Sequence, residues 1–471
     1  MPIKIALPKG RLLRKTSALL NRADWGLDEY HSKLSFYHPK AQRFPGMLIK
    51  VFQEKDIPIQ VAVGNYDLGI CGRDWLEELL VKFPSSDLVR AKDLGYGRSS
   101  LYVAANQSQA VSTVEEVKDS YGIIRIASEY PNLAENFALK NRFARFSVFP
   151  VWGAAEGYPP ENAELALISA KTETELVGCG MMLLSKVLDC SAFLIANRNS
   201  WESRDLGEVI NSICDVVTTG KEAAVAPAAA PAKPEPYFIE DTPEEIARIA
   251  LPDGHQQQPT VELLNKAGIN IDDYPSATGN RRPSIGLDGV RVKVIRPQDM
   301  PLQVANGNFD LAVTGNDWLR EHLYQFPSSP ARKLLDLGSG RVRMVAVVSQ
   351  ELAVDNAVDL RKLSLERSTP LRIASEYVHI ADKYARDNHL GRYQIIPTWG
   401  ATESFLPEDA DLLIENTETG RTIARHNLKI IGTIFESTGC LIGNANNISG
   451  SVKRKRIEAV TEMLRRAVQE S

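Results

Sequence analysis

Short apolar runs alternate with amphipathic stretches along this chain, and the alternation is written out twice. Ile3-Lys4-Ile5-Ala6-Leu7 predicts a strand, Pro8-Lys9-Gly10-Arg11 a turn, and residues 12–20 a helix. The same order returns at Ile249-Ala250-Leu251, Pro252-Asp253-Gly254-His255 and residues 260–267. Strand-turn-helix units in series predict an α/β architecture with a largely parallel sheet. Each copy closes on a helix, the last with Ile457, Val460, Met463, Leu464, Ala467 and Val468 at helical spacing. Lys453-Arg454-Lys455-Arg456 ahead of it reads as that helix's solvated start.

The repetition extends to words. Asp56-Ile57-Pro58, Gly64-Asn65-Tyr66-Asp67-Leu68 and Gly72-Arg73-Asp74-Trp75-Leu76 return as Asp299-Met300-Pro301, Gly307-Asn308-Phe309-Asp310-Leu311 and Gly315-Asn316-Asp317-Trp318-Leu319, an offset of 299 − 56 = 243. Ile126-Ala127-Ser128-Glu129-Tyr130 and Trp152-Gly153-Ala154 return as Ile373-Ala374-Ser375-Glu376-Tyr377 and Trp399-Gly400-Ala401, an offset of 373 − 126 = 247. A repeat this long is a duplicated globular unit, not a solenoid. Residues 1–220 form copy one, residues 239–471 copy two, and the Ala/Pro tract at 221–238 an extended tether without the bulky apolar residues a core needs.

Composition narrows the picture. With 44% hydrophobic and 24% charged residues, the 471-residue chain can bury a core in each copy. A net charge of −4 with no strongly basic half gives no electrostatic footprint for nucleic acid. No apolar run reaches membrane-spanning length, and Met1-Pro2-Ile3-Lys4 enters the first strand without a signal-peptide pattern. Five cysteines without a CxxC spacing argue against a disulfide framework and a zinc site, and the expected compartment is the cytoplasm. The seven histidines share no spacing that would make a metal face, which leaves them as surface or packing residues.

The segment richest in chemistry is Asp411 to Thr422. An apolar strand ends at Glu415, and Asn416-Thr417-Glu418-Thr419-Gly420-Arg421-Thr422 leads into the amphipathic segment 423–428. That order suits a sugar phosphate. Backbone N–H groups and the Thr419 and Thr422 hydroxyls can meet phosphate oxygens, Gly420 lets the backbone come close, and Glu415 can accept from ribose hydroxyls. The same letters also describe a helix cap with Thr at the N-cap. Trp75, Trp318, Trp152 and Trp399 recur in pairs; they are core residues, or the second pair, beside Glu156 and Glu403, borders a nucleotide.

The run resembles the phosphoribosyl-pyrophosphate loop of the ATP phosphoribosyltransferase family, the first enzyme of histidine biosynthesis. Further matches follow in family order: Ala6-Leu7-Pro8-Lys9-Gly10-Arg11-Leu12, Asp56-Ile57-Pro58, Asp67-Leu68-Gly69-Ile70, Ile126-Ala127-Ser128-Glu129-Tyr130-Pro131-Asn132 and Gly400-Ala401-Thr402-Glu403. The resemblance implies two tandem copies of a two-lobed fold like the type II periplasmic binding proteins, with substrates between lobes. It also implies magnesium and transfer of phosphoribosyl from phosphoribosyl pyrophosphate to N1 of the adenine of ATP. By resemblance, Glu415, Thr417, Glu418, Thr419, Gly420, Arg421 and Thr422 hold the donor, and Glu403 and Tyr377 meet ATP. Arg296 matches the arginine that reaches the leaving pyrophosphate across a dimer interface, a task suited to a bidentate guanidinium. Read without the family, it is a surface arginine beside a Pro turn. Lys9 and Arg11 match the basic start motif, at the end of the sheet where α/β folds bind anions, or are solvated charges at a helix start.

Each copy departs from the family differently. At the offset of 247, copy one has Glu173 for Gly420 and Ile168 for Glu415; at 243 it has Gln53 for Arg296. Copy two has Asp253 and His255 where copy one has Lys9 and Arg11. The expectation is an internal pseudo-dimer with one working cleft, in copy two, to which copy one lends Lys9 or Arg11. The family's short form relies on a regulatory partner resembling a histidyl-tRNA synthetase, and these copies resemble that form. The alternative is an inactive paralogue that binds nucleotide or phosphoribosyl pyrophosphate as a regulator.

Overall fold

The computed structural model describes residues 2–31, 37–217, 245–277, 279–446 and 451–469, so the tether expected at 221–238 lies outside the described residues. Within these, the chain packs into two compact units. One holds the first copy up to Pro150 and again from Ala163, together with Thr398–Phe405. The other holds Val151–Asn162 with the second copy up to Pro397 and again from Leu406. Each unit therefore contains a short segment of the other copy.

Each unit has two lobes, each built on a five-stranded sheet. In unit one the first lobe runs Leu48–Phe52, Lys4–Pro8, Leu68–Gly72, Ala192–Asn197, Leu88–Asp93, and the second runs Phe146–Pro150, Ile124–Ser128, Leu165–Ala170, Ser99–Asn106, Met181–Cys190. Unit two repeats both orders, from Val290–Ile295 to Ala331–Asp336 and from Tyr393–Pro397 to Leu428–Ser437. The expected α/β class holds, as two tandem copies of a two-lobed fold. The largely parallel sheets are mixed, however, by one strand in each. Three neighbouring strands in each pair in parallel, and the strand that crosses from the other lobe inserts antiparallel between the third and an edge strand that again runs with the first three. A returning strand cannot enter parallel without another helical crossover.

The exchanged segments are part of the cores they enter. Ala401 belongs to the buried cluster of the first lobe of unit one, and Phe405, fully buried, meets Phe52 edge-on at 5.1 Å. Trp152 packs on the second-lobe cluster of unit two, 5.6 Å from Trp318, and its N–H reaches the Asp299 carboxylate at 3.1 Å. A helix start expected at residue 12 is a 3-10 turn, Gly10–Leu12, with the α-helix at Leu13–Arg22. Lys453 is not solvated, because its ammonium lies 2.8 Å from Asp310 and only 8% of the residue is exposed.

In both units a glutamate of the first lobe caps a helix of the second. Glu78 accepts from the N–H groups of Asn132 and Leu133 at 2.8 and 2.9 Å, and Glu321 from those of His379 and Ile380 at 2.8 Å each. Burial raises each carboxyl to about 7. A folded value above the unfolded one contributes stability that is complete below the unfolded value and is lost as pH rises through about 7. Unfolding free energy is thus expected to fall between about pH 5 and about pH 8, and to fall less in an E78Q/E321Q variant, as denaturant titrations at both pH values would measure.

Candidate functional site

The strand Leu412–Thr417 of unit two delivers its last residues to the surface. Glu415 and Thr417 are half-buried, and Glu418, Thr419, Arg421 and Thr422 are exposed, so the cradle is open to a ligand. Gly420 has φ +74°, the left-handed region where a side chain is strained, and stands at the N-cap with no side-chain cap. The Thr417 hydroxyl accepts from the Gly420 N–H at 2.9 Å, and the Thr419 hydroxyl from that of Arg421 at 3.4 Å. Both hydroxyls keep their own O–H to donate. The helix expected over 423–428 is only Arg421–Arg425. Asn427 turns left-handed at φ +58°, and the strand Leu428–Ser437 begins at once. So short a helix adds little dipole, and what the turn can offer a ligand is hydroxyls and side-chain charge.

Copy one builds the corresponding stretch as a capped helix. Its corresponding residues form a helix, Glu173–Gly178, with Thr172 at the N-cap accepting from Glu175 N–H at 3.3 Å. The Glu175 carboxylate accepts from Lys171 N–H at 2.8 Å, which completes a capping arrangement. The same stretch is a left-handed glycine turn ahead of a five-residue helix in one copy and a Thr-capped helix in the other.

Arg296 lies in unit two within a chain of charges. Its Nη1 is 3.1 Å from Asp253, Arg281 bridges Asp253 at 2.9 Å and Glu156 at 3.0 Å, and the buried Arg296 Nε has no hydrogen-bond partner among the described residues. Asp253, standing where copy one has Lys9, converts a cationic position into an anchor for two arginines. In unit one Arg11 is held by Glu54 at 2.9 Å and Asp74 at 2.5 Å. Burial would lower its pKa, but Asp74 and Glu54 overturn this and raise it, whereas burial lifts Glu54 to about 7. Lys9 donates to the Tyr37 hydroxyl at 2.8 Å and opposes the upward push that burial exerts on Glu403, whose segment belongs to the same unit.

Tyr377 is 2% exposed. Its hydroxyl lies 2.7 Å from Asp317 and receives Asn416 Nδ2 at 2.8 Å, its ring stacks on Trp318 at 4.2 Å, and burial, then Asp317, raises its pKa. Trp399 meets the Lys55 ammonium at 4.9 Å in unit one. Unit two therefore gathers the loop, Arg296 and Tyr377, while Lys9, Arg11 and Glu403 belong to unit one. Sequence reasoning passed over Arg281 and Arg343, because only pairing across strands or loops brings them to these groups; the difference between copies at position 343 was the available signal.

Among the described residues no group of three or more His, Cys, Asp or Glu side chains is placed to hold a metal. Magnesium needs fewer, since it commonly keeps its waters and takes one or two carboxylates with substrate phosphates, a donor set that Glu415 and Glu418 beside the loop fit. No described helix is long and apolar enough to cross a membrane.

The chain matches the ATP phosphoribosyltransferase family profile over residues 53–219 and 296–466. An ATP phosphoribosyltransferase of Chlorobium phaeobacteroides is 32% identical over 233 residues, 48% of this chain and 74% of that protein. The ATP phosphoribosyltransferase of Prosthecochloris aestuarii is 30% identical over 230 residues, 48% of this chain and 72% of that protein. Among solved structures, the ATP phosphoribosyl transferase (HisG:HisZ) complex from Thermotoga maritima covers 48% of this chain and 100% of that chain, at 21% identity and a TM-score of 0.39.

Proposed function

Because the chain belongs to the ATP phosphoribosyltransferase family, a family of phosphoribosyl-transferring enzymes, we propose that it transfers phosphoribosyl from phosphoribosyl pyrophosphate to N1 of ATP adenine, with the donor on the copy-two loop. The observation that carries this reading is the left-handed Gly420 turn, present in one copy and replaced by a Thr-capped helix in the other. In the transfer the N1 lone pair forms a bond to the ribose C1, the C1–O bond breaks, and its electron pair leaves with pyrophosphate. Charge grows on the leaving group, so fixed cations matter more than a strong base. Arg296, with Nε unsatisfied among the described residues, is the cation assigned to that group, and Lys9 serves anion recognition from copy one. Arg11, held between Glu54 and Asp74, keeps the first-lobe turn in shape and serves the same anion recognition beside Lys9. Glu415 accepts from ribose hydroxyls, Glu403 and Tyr377 are the residues the family resemblance assigns to ATP, and Glu415 and Glu418 would complete magnesium's shell. Bound magnesium would neutralise pyrophosphate charge.

The two copies act as an internal pseudo-dimer in the cytoplasm, joined by the 221–238 tether, with residues 1–220 as the supporting half and 239–471 as the donor-binding half. The exchange of Val151–Asn162 and Thr398–Phe405 supports that pairing. A histidyl-tRNA-synthetase-like regulatory subunit is the partner the short-form resemblance implies.

A second reading, a binding or regulatory paralogue without turnover, is favoured by the ion pairs that engage Arg11 and Arg296. Release of pyrophosphate from phosphoribosyl pyrophosphate and ATP by the purified chain, with and without histidine, separates the two. Turnover supports the enzyme; ligand binding with no pyrophosphate sinks it.

A further inference from the structure

We propose that Arg343 is the cation that receives a phosphate group of the donor at the Gly420 loop, an inference that rests on the reading of that loop above. Arg343 lies on the strand Val342–Ser349, which pairs antiparallel with the loop-bearing strand in the register Arg343 to Thr417 and Val345 to Glu415. Side chains alternate along a strand, so Arg343, Thr417 and Glu415 share one face of the sheet, while Met344 and Ile414 point into the core on the other. The guanidinium lies against the loop backbone, and a Cβ built on Gly420 would stand 4.0 Å from Arg343 Nη2.

No carboxylate among the described residues pairs with it. Glu436, opposite in the register, is bound by Arg341 instead. Arg281 and Arg296, by contrast, are in ion pairs with Asp253. A half-buried guanidinium has given up hydration, and without a counter-ion that loss is uncompensated until an anion arrives. The loop hydroxyls can orient a phosphate but bring no charge, whereas a guanidinium offers two parallel N–H donors to it.

The duplicated copy gives an independent argument. Its residue in register with Arg343 is Ser100, whose hydroxyl donates to Asp189 at 2.7 Å on the neighbouring strand. The cation and the glycine turn are thus both present in copy two and both absent from copy one. A purely structural surface arginine has no reason to vanish together with a loop from which it is separated by more than seventy residues.

Calorimetric binding of ribose 5-phosphate and of inorganic pyrophosphate to the full chain tests this, comparing the unmodified protein with R343Q, R343K and an S100A control. R343Q is expected to weaken one of the two probes about tenfold or more, R343K to weaken it less, and S100A to change neither. The probe affected identifies which donor phosphate Arg343 holds. Thermal melting of R343Q within a few degrees of the unmodified protein shows that folding is intact, and R343K carries the comparison if it is not. Unchanged affinity of both probes in R343Q and R343K overturns the inference while leaving the loop reading standing. Failure of the unmodified protein to bind either probe or phosphoribosyl pyrophosphate overturns both.

Discussion

Gly420→Glu is expected to lower transfer by about a hundredfold or more while leaving the chain folded, whereas Thr172→Ala in copy one leaves turnover within about twofold. Two effects meet at Gly420. Its φ of +74° strains any L side chain by about 1 kcal/mol. The space itself is open, with Ile430 at 3.6 Å and Arg343 at 4.0 Å from a built Cβ, so a glutamate fits sterically. Its carboxylate would then lie beside Arg343, pair with it and repel an incoming phosphate. Thr172 caps a helix that has no equivalent loop, and its loss costs about 1 kcal/mol of stability with no donor to lose. Steady-state rates and melting curves on both variants separate the outcomes. Activity lost in T172A and kept in G420E would move the working site to copy one.

Glu161→Ala is expected to cost about 2–3 kcal/mol in unfolding free energy, less than for a fully buried pair because solvent reaches the glutamate, whose side chain is 34% exposed. Lys293 is 6% exposed, and its ammonium rests 2.8 Å from Glu161 Oε2 and 2.8 Å from Asn162 Oδ1. Burial depresses the lysine to about 8 even with Glu161 opposing. The glutamate, more exposed, is taken down to about 2 because Lys293 and Arg282 outweigh its own burial. Removing the acid leaves a dry ammonium with one neutral partner. Lys293→Met removes the charge with the cavity largely filled, and should be near neutral or stabilising, with the double variant well short of E161A. A depressed lysine binds fewer protons folded than unfolded, so its contribution grows as pH rises from about 8 to about 10, and K293M should flatten that rise. Guanidinium titrations of the four proteins at two pH values measure both effects. Equal losses in E161A and K293M would place the energy in packing instead.

Much of this was readable from the chain. The duplication, the α/β class and the mismatched loops follow from repeated words, because a glycine-for-glutamate difference at one offset needs no coordinates to notice. Other features depended on long-range pairing. The antiparallel insertion of Ala192–Asn197 and Ser99–Asn106 comes from the lobe crossings, which leave no local mark on a run of apolar residues. Lys453 sat in a basic run that looked solvated, yet Asp310 more than a hundred residues away draws it in. Arg343 reaches the loop through strand register, and Arg281 reaches Glu156 through a segment that no periodicity assigns to its unit. The loop helix was overestimated because Ile423, Leu428 and their neighbours have a helical spacing that a left-handed Asn427 interrupts.

The reciprocal loan of Val151–Asn162 and Thr398–Phe405 bears on why a half without the glycine turn persists at all. A gene trimmed to the second half would encode a protein lacking Trp152, Tyr158, Glu156 and Glu161, the residues that meet Trp318, Asp299, Arg281 and Lys293. The half with the glycine turn therefore ties down the other, which can drift elsewhere but not in the few side chains it contributes to its neighbour.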